Sequence, residues 1–492
     1  MRIAIIGSGL GGLSAACYLA KAGHQVDVYE KNAIAGGRAG VFKADGFTFD
    51  TGPSWYLMPE VFDHFFESMG EKTQDWLDLV KLSPSYRVFY EGRQEPITIY
   101  SDLAKDMATI ESLEPGAGKK LERYLAKCAS LYDLVVKKFL YKSYPSAASL
   151  LTLENALAGV KMPVLTKMDA YVSRTFKTDA VRKLLQYTMV FLGSSPYNAP
   201  AVYSMLTHTD FNQGVQYPQG GIYKLVEAMV AIARKHGTQF YFNSPVTQIL
   251  TAAGKAKAIR LESGEEVAYD AVVSNADLHF TETRLLAPAD QTLPERFWKK
   301  TVQAPSALLI YLGVHGKVDG LLHHSLYFCD DWKKNFAQIF DSPTWPENPS
   351  LYVCIPSKTD PSVAPEGDEN MFILVPLACG LEYDQEFLEA YANKIIGQVS
   401  ARMCVPDLES RIVHRTIFGP NDFAQKYNSY RGTGLGMAHT FMQTGPFRPD
   451  LRSKKVPNLF YTGANIHPGI GMPICVISGK LTAERIAKAY PA

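Results

Sequence analysis

The sequence predicts an α/β protein: a dinucleotide-binding domain assembled from discontinuous segments, plus an α+β domain with an antiparallel sheet and a helical apolar insert. Three observations carry that prediction. An apolar run at residues 3–6 leads into Gly7-Ser8-Gly9-Leu-Gly-Gly12, the G-x-G-x-x-G turn that joins a strand to a helix. A second strand, loop and helix pattern, rich in glycine and proline, closes the chain from Asn458 to a helix near residues 474–488. Between them, 306–312, 350–355 and 371–375 are apolar runs of strand length, and Leu388, Tyr391, Ala392, Ile395, Ile396 and Val399 mark a helix across them.

The opening stretch sets the chemistry. Gly7 permits a tight bend, Gly9 lets a pyrophosphate approach the backbone, and Gly12 lets the helix pack on the strand, with the phosphates at the helix's positive end. The next strand ends at Glu30, where a carboxylate accepts hydrogen bonds from an adenosine ribose. Ser8 inside the turn and Lys31 beside the acid belong to the same candidate set. Gly36-Gly37-Arg38 follows, and a planar cation beside a pyrophosphate can pair with it in two places.

Composition narrows the class. Fifty basic against 49 acidic side chains leave a formal net charge of +1, which supplies no bulk field for nucleic acid. The seven cysteines are scattered, without a C-x-x-C pair, as expected of a reduced intracellular chain. The N-terminus enters its strand within two residues and is not read as a signal peptide. No apolar run reaches the roughly 18 residues of a spanning helix, so any membrane contact is expected to be peripheral.

Taken in order, the chain then shows a Gly52-Pro53 turn, a largely helical region over 60–140 with a strand at 97–100, and an apolar helical insert over 143–206. The insert includes 156–160 and 184–192. After Tyr217-Pro-Gln-Gly-Gly221, the spacing of Ile222, Leu225, Val226, Met229, Val230 and Ala233 predicts an amphipathic helix. Short strands at 239–242, 245–249, 258–261 and 271–277 are expected to return to the nucleotide sheet. The expected division is 1–100, 207–290 and 421–492 for the nucleotide domain, 101–206 for the substrate- and membrane-facing insert, and 291–420 for the substrate domain.

With these blocks in place the sequence resembles the bacterial carotenoid (phytoene) desaturase family over essentially its whole length. The resemblance rests on Gly7-x-Gly9-x-x-Gly12, Gly36-Gly37-Arg38, Phe47-Thr-Phe-Asp50-x-Gly52-Pro53, Tyr217-Pro-x-Gly220-Gly221, Ser274-Asn-Ala-Asp277, Phe447-Arg448-Pro449 and Gly463-Ala-x-x-His467-Pro468-Gly469-x-Gly471-x-Pro473. Asn465-Ile466 and Ile470 depart from the family's usual small residues. The resemblance implies an amine-oxidase-like flavoprotein with a Rossmann-type FAD domain. FAD would be held near Gly37, Arg38, Pro53, the backbone of Val246, Asn275, Gly463, His467, Gly471 and Met472.

The implied reaction removes a hydride to flavin N5 and a proton from a C40 or C30 isoprenoid hydrocarbon, converting phytoene towards lycopene, with oxygen or a quinone as electron acceptor. Such a substrate implies a cytoplasmic protein attached peripherally to the membrane. The segment Val135 to Lys142, apolar with three lysines, is the candidate for that contact. A retinoid saturase, a later-step carotenoid oxidoreductase and a non-enzymatic prenyl-binding escort share the fold and remain alternatives. His208 and Asp210 are weak candidates for a base. No metal is expected, because adjacent residues such as His323 and His324 do not share a face.

Overall fold

The computed structural model describes residues 1–144, 159 and 162–490. Its organising layer is a five-stranded parallel sheet, in the order Leu459–Tyr461, Ala271–Ser274, Arg2–Ile6, Gln25–Tyr29 and Gln239–Tyr241. Ile3, Ala4 and Ile5 are wholly buried there, as expected of a central strand covered on both faces. The chain's first strand thus lies two places from its last, with 271–274 between them.

The helix Leu10–Lys21 packs on this sheet between the helices Tyr223–Lys235 and Met472–Ala489. Gly7 makes the strand-to-helix bend at a φ of +92°, and a Cβ on Gly12 would stand 2.3 Å from the Gly7 carbonyl oxygen. Glycine is required at both positions for the expected reasons.

A second sheet of seven strands runs Ile412–Phe418, Ser306–Val314, Glu369–Leu377, Leu351–Cys354, His324–Phe328, Tyr86–Tyr90 and Ile97–Ile99. It is antiparallel except where His324–Phe328 pairs parallel with Tyr86–Tyr90. Every residue of Ser306–Val314 is buried, so the strand is covered on both faces.

Two expectations change here. The strands at 86–99 lie in the second sheet, so segment 1–100 is divided between the two layers. Of the strands expected to rejoin the nucleotide sheet, only 239–241 and 271–274 do so. Val246–Ala252, Lys255–Leu261 and Glu266–Ala268 form their own antiparallel three-stranded sheet, built by hairpins that need no crossover. In the insert, Asp179–Gln186 continues into a turn of 3₁₀ helix at Tyr187–Leu192, whereas 156–160 lies outside the described residues apart from Gly159.

Candidate active site

One cavity of about 1680 Å³ runs from the nucleotide sheet into the space above the second sheet. It exceeds the roughly 300–1,000 Å³ of an ordinary ligand pocket, so it has room for more than one occupant. At the nucleotide end its wall includes Gly7, Gly9, Glu30, Lys31, Gly37 and Arg38. Pro53, Val246, Asn275, Gly463, His467, Gly471 and Met472 line it as well. Ser8 and Gly12 stand behind this surface: Gly12 packs helix on strand, and the Ser8 hydroxyl donates to Glu30 Oε2 at 2.8 Å.

Glu30 is held by its neighbours. Its Oε2 also accepts from the Ser8 amide at 2.9 Å, and its Oε1 accepts from the Asn32 amide and side chain at 2.9 and 3.0 Å. Lys31 is turned towards the Pro420–Tyr427 helix, donating to the Gln425 carbonyl at 2.7 Å, and burial pushes its pKa down. Asn275 is the keystone between the two chain ends. Its amide donates to the Gly7 carbonyl at 3.3 Å, and a Cβ on Gly9, Gly11 or Gly463 would come within 2.8 Å of its side chain.

The residues fit a flavin dinucleotide. Arg38 donates through Nη2 to Ser429 Oγ at 2.8 Å, while its buried Nε has no partner among the described residues and belongs to a side chain on the cavity wall. A phosphate oxygen is the natural acceptor for that donor. The N-terminus of Met472–Ala489 faces the same space and offers free backbone N–H groups to negative charge.

The loop at this helix is braced by residues that local sequence patterns do not reveal. His439 is fully enclosed, accepts from the Ile470 amide through Nε2 at 3.0 Å, and faces the Tyr203 hydroxyl through Nδ1 at 2.5 Å. Burial drives its pKa far down, so it is a neutral prop. Among the described residues Arg448 has no carboxylate partner and donates instead to the carbonyls of Gln443, Met437 and Ala464, at 2.9, 3.1 and 2.7 Å. Asn465, one of the departures noted above, bridges Asp277 Oδ2 at 3.0 Å and the Met437 amide at 2.9 Å. His467 Nε2 lies 2.8 Å from the Lys142 carbonyl, and burial lowers its pKa.

Beyond the loop the cavity turns apolar. Leu309, Leu326, Phe328 and Leu374 form its floor on the second sheet, and Trp332, Phe336 and Ile339 line it from the helix Trp332–Phe340. Rings follow one another from Trp55 to Tyr187, Phe328, Trp332 and Phe336, with successive centroids 6.2, 5.9, 5.0 and 5.5 Å apart. The charged residues on the cavity wall are Glu30, Lys31, Arg38, Glu262, Asp277, Arg284 and Lys426, all beside the nucleotide sheet or its hairpins. Among the described residues the apolar corridor has none.

The candidate bases lie off this wall. His208 faces Asn212 through Nδ1 at 2.8 Å, with its ring beside Tyr132. Asp210 accepts from the Tyr86 and Tyr187 hydroxyls, each at 2.9 Å, and burial, tempered by those two donors, pushes its pKa up to about 7. It acts behind Tyr187 and makes no direct approach to the corridor. The Val135 to Lys142 segment also differs from expectation. Val135, Phe139 and Leu140 line the cavity, whereas Lys137 points outward and pairs with Asp133. The expectation of no metal rested on adjacent histidines being unable to cooperate, yet the rings of His323 and His324 lie 4.4 Å apart.

Residues 10–487 match the family described as flavin containing amine oxidoreductase. The chain is 40% identical over 485 residues to a carotenoid 3,4-desaturase of Haloarcula japonica, covering 98% of this chain and 97% of that protein. It is 37% identical over 489 residues to a zeta-carotene-forming phytoene desaturase of Myxococcus xanthus, covering 99% and 93%. A redesigned putrescine oxidase superposes with a TM-score of 0.66 at 14% identity, covering 99% of each chain, which shows a shared fold.

Proposed function

Since the chain belongs to the flavin-containing amine oxidoreductase family, we propose that it is an FAD-dependent carotenoid desaturase that introduces conjugated double bonds into phytoene towards lycopene. FAD is its cofactor, and oxidoreduction at carbon–carbon bonds of a carotenoid is the activity it has in common with relatives matched over nearly the whole chain. The observation that carries the finer reading is the opening of the nucleotide cradle directly into a corridor that has no charged side chain among the described residues. A long hydrocarbon has no polar handle, and only such a wall can take it from lipid without loss.

When bound, FAD would supply the acceptor for a hydride removed from a saturated carbon of the hydrocarbon. The chain supplies binding and exclusion of water. Arg38 and the Met472–Ala489 helix end hold negative charge, Asn275 locks the two glycine loops together, and the aromatic file fixes the hydrocarbon's path. A cation between double bonds is delocalised over the substrate itself, so alignment and dryness do most of the work, and loss of the neighbouring proton completes the double bond. Oxygen or a quinone would be the electron acceptor for the reaction.

Expression in a host that accumulates phytoene tests the reading, with red lycopene expected and unchanged phytoene overturning it. A second reading, desaturation of an already conjugated carotene, is favoured by the 40% identity to the Haloarcula carotenoid 3,4-desaturase. A red shift only in a lycopene-accumulating host would select it.

The same chemistry calls for a lipid source. Among the described residues, no helix is long and apolar enough to cross a membrane. Phe441 and Phe447 line the cavity yet remain 42% and 41% exposed, with Met442 exposed beside them. Leu165, 84% exposed, neighbours the cavity residue Val164. This apolar rim serves as the contact with the cytoplasmic face of the bilayer.

A further inference from the structure

His324 and Cys354 stand directly opposite each other on the neighbouring antiparallel strands His324–Phe328 and Leu351–Cys354. The adjacent pair is tied by the Ile355 amide donating to the His323 carbonyl at 2.8 Å, which makes 324/354 the pair without backbone bonds, where side chains stand closest. His323 precedes the strand, and its ring comes round to 4.4 Å from that of His324. One donor atom from each of the three residues lies within 4.8 Å of the other two, and their exposures are 5%, 0% and 1%.

The hydrogen bonds distinguish this cluster from an ordinary polar core. Nδ1 of His323 is 2.7 Å from the Thr359 hydroxyl, and Nδ1 of His324 is 2.7 Å from the Tyr352 hydroxyl. Both Nε2 atoms are buried without a partner among the described residues. A histidine that ligates a metal typically binds an oxygen through its other ring nitrogen, which fixes the tautomer and aims the free lone pair.

We propose that His323 Nε2, His324 Nε2 and Cys354 Sγ form a buried zinc(II) site behind the corridor wall. Two imidazoles and one thiolate suit a borderline cation in a tetrahedral shell. Binding forms a Zn–S bond as the thiol proton leaves to solvent, and no electrons are exchanged. The three donors close up through side-chain rotation to about 2.0 Å for nitrogen and about 2.3 Å for sulfur. Trp55, on the corridor wall, stacks on His324 with centroids 4.6 Å apart, so the ion would hold that ring in place. The three ligands are therefore positioning residues.

The test is metal analysis of the FAD-loaded protein after growth with zinc, alongside Cys354→Ser and His324→Gln. About one zinc per chain is expected, with X-ray absorption showing sulfur at about 2.3 Å and nitrogen at about 2.0 Å. Both variants should lose the zinc and keep their flavin. Should a variant fail to fold, the absorption spectrum of the unmodified protein decides alone. Flavin-loaded protein that takes up no zinc, a shell without sulfur, or full zinc in both folded variants overturns the site.

Discussion

Arg38 presents an unmet demand on the cavity wall: a buried guanidinium N–H without an acceptor among the described residues. Removing a charge-assisted hydrogen bond costs about 1.5–3 kcal/mol, so Arg38→Ala should weaken FAD binding by roughly 10- to 100-fold. Flavin titration of the apoprotein measures this, and an unchanged affinity would place the pyrophosphate elsewhere. Asp210 makes a different prediction. With its pKa pushed up to about 7, the folded chain keeps a proton that the unfolded chain has released from about pH 4 upward. Stability therefore falls as pH rises through that window. Asp210→Asn should flatten the fall and raise Tm above pH 7, read by thermal melts across pH. Asp50, pushed up to about 7 by the same burial, leaves part of the slope in place. At this scale the sequence was legible where backbone geometry restricts residue type, as at Gly7 and Gly12. It was mute at His439, because a lone buried histidine carries no local signature.

The helix Met472–Ala489 crosses Leu10–Lys21 so closely that a Cβ on Gly479 would meet the Gly11 carbonyl oxygen and Ser14 Cβ at 2.5 Å. Gly479→Val should push the two helices apart at a cost of about 1–3 kcal/mol and, because both helix ends face the cavity, loosen FAD as well. A melt and a flavin titration on the same sample check this; a lower Tm with full affinity would uncouple the two. Element existence was readable from periodicity: 2–6, 223–235, 306–314 and 385–402 are all near their expected places. Element partnership was not. Tyr86–Tyr90 pairs with His324–Phe328, a choice made by burial across the fold that leaves no mark in either segment. The expectation that the adjacent His323 and His324 do not share a face did not foresee that His323 lies just before its strand begins, where its ring is free to come round.

Across the whole molecule, corridor length and lipid access set what can be converted. Phe336 is the last cavity-lining ring of the file that begins at Trp55, so Phe336→Trp should shorten the usable corridor. Turnover of a C40 substrate should fall more than that of a C30 analogue, compared by pigment yield; equal losses would show that the hydrocarbon runs another way. Exchanging Phe441 and Met442 for serine should reduce co-sedimentation with liposomes, whereas neutralising Lys137, Lys138 and Lys142 should leave it nearly unchanged. The reverse pattern would restore the lysine segment as the membrane contact. Because Leu459–Tyr461 and the helix after it complete a layer begun at Arg2, a ribosome must finish almost the entire polypeptide before any flavin can lodge. Yellow colour in a translation extract should therefore mark full-length product alone, and stalled chains should stay colourless and open to protease.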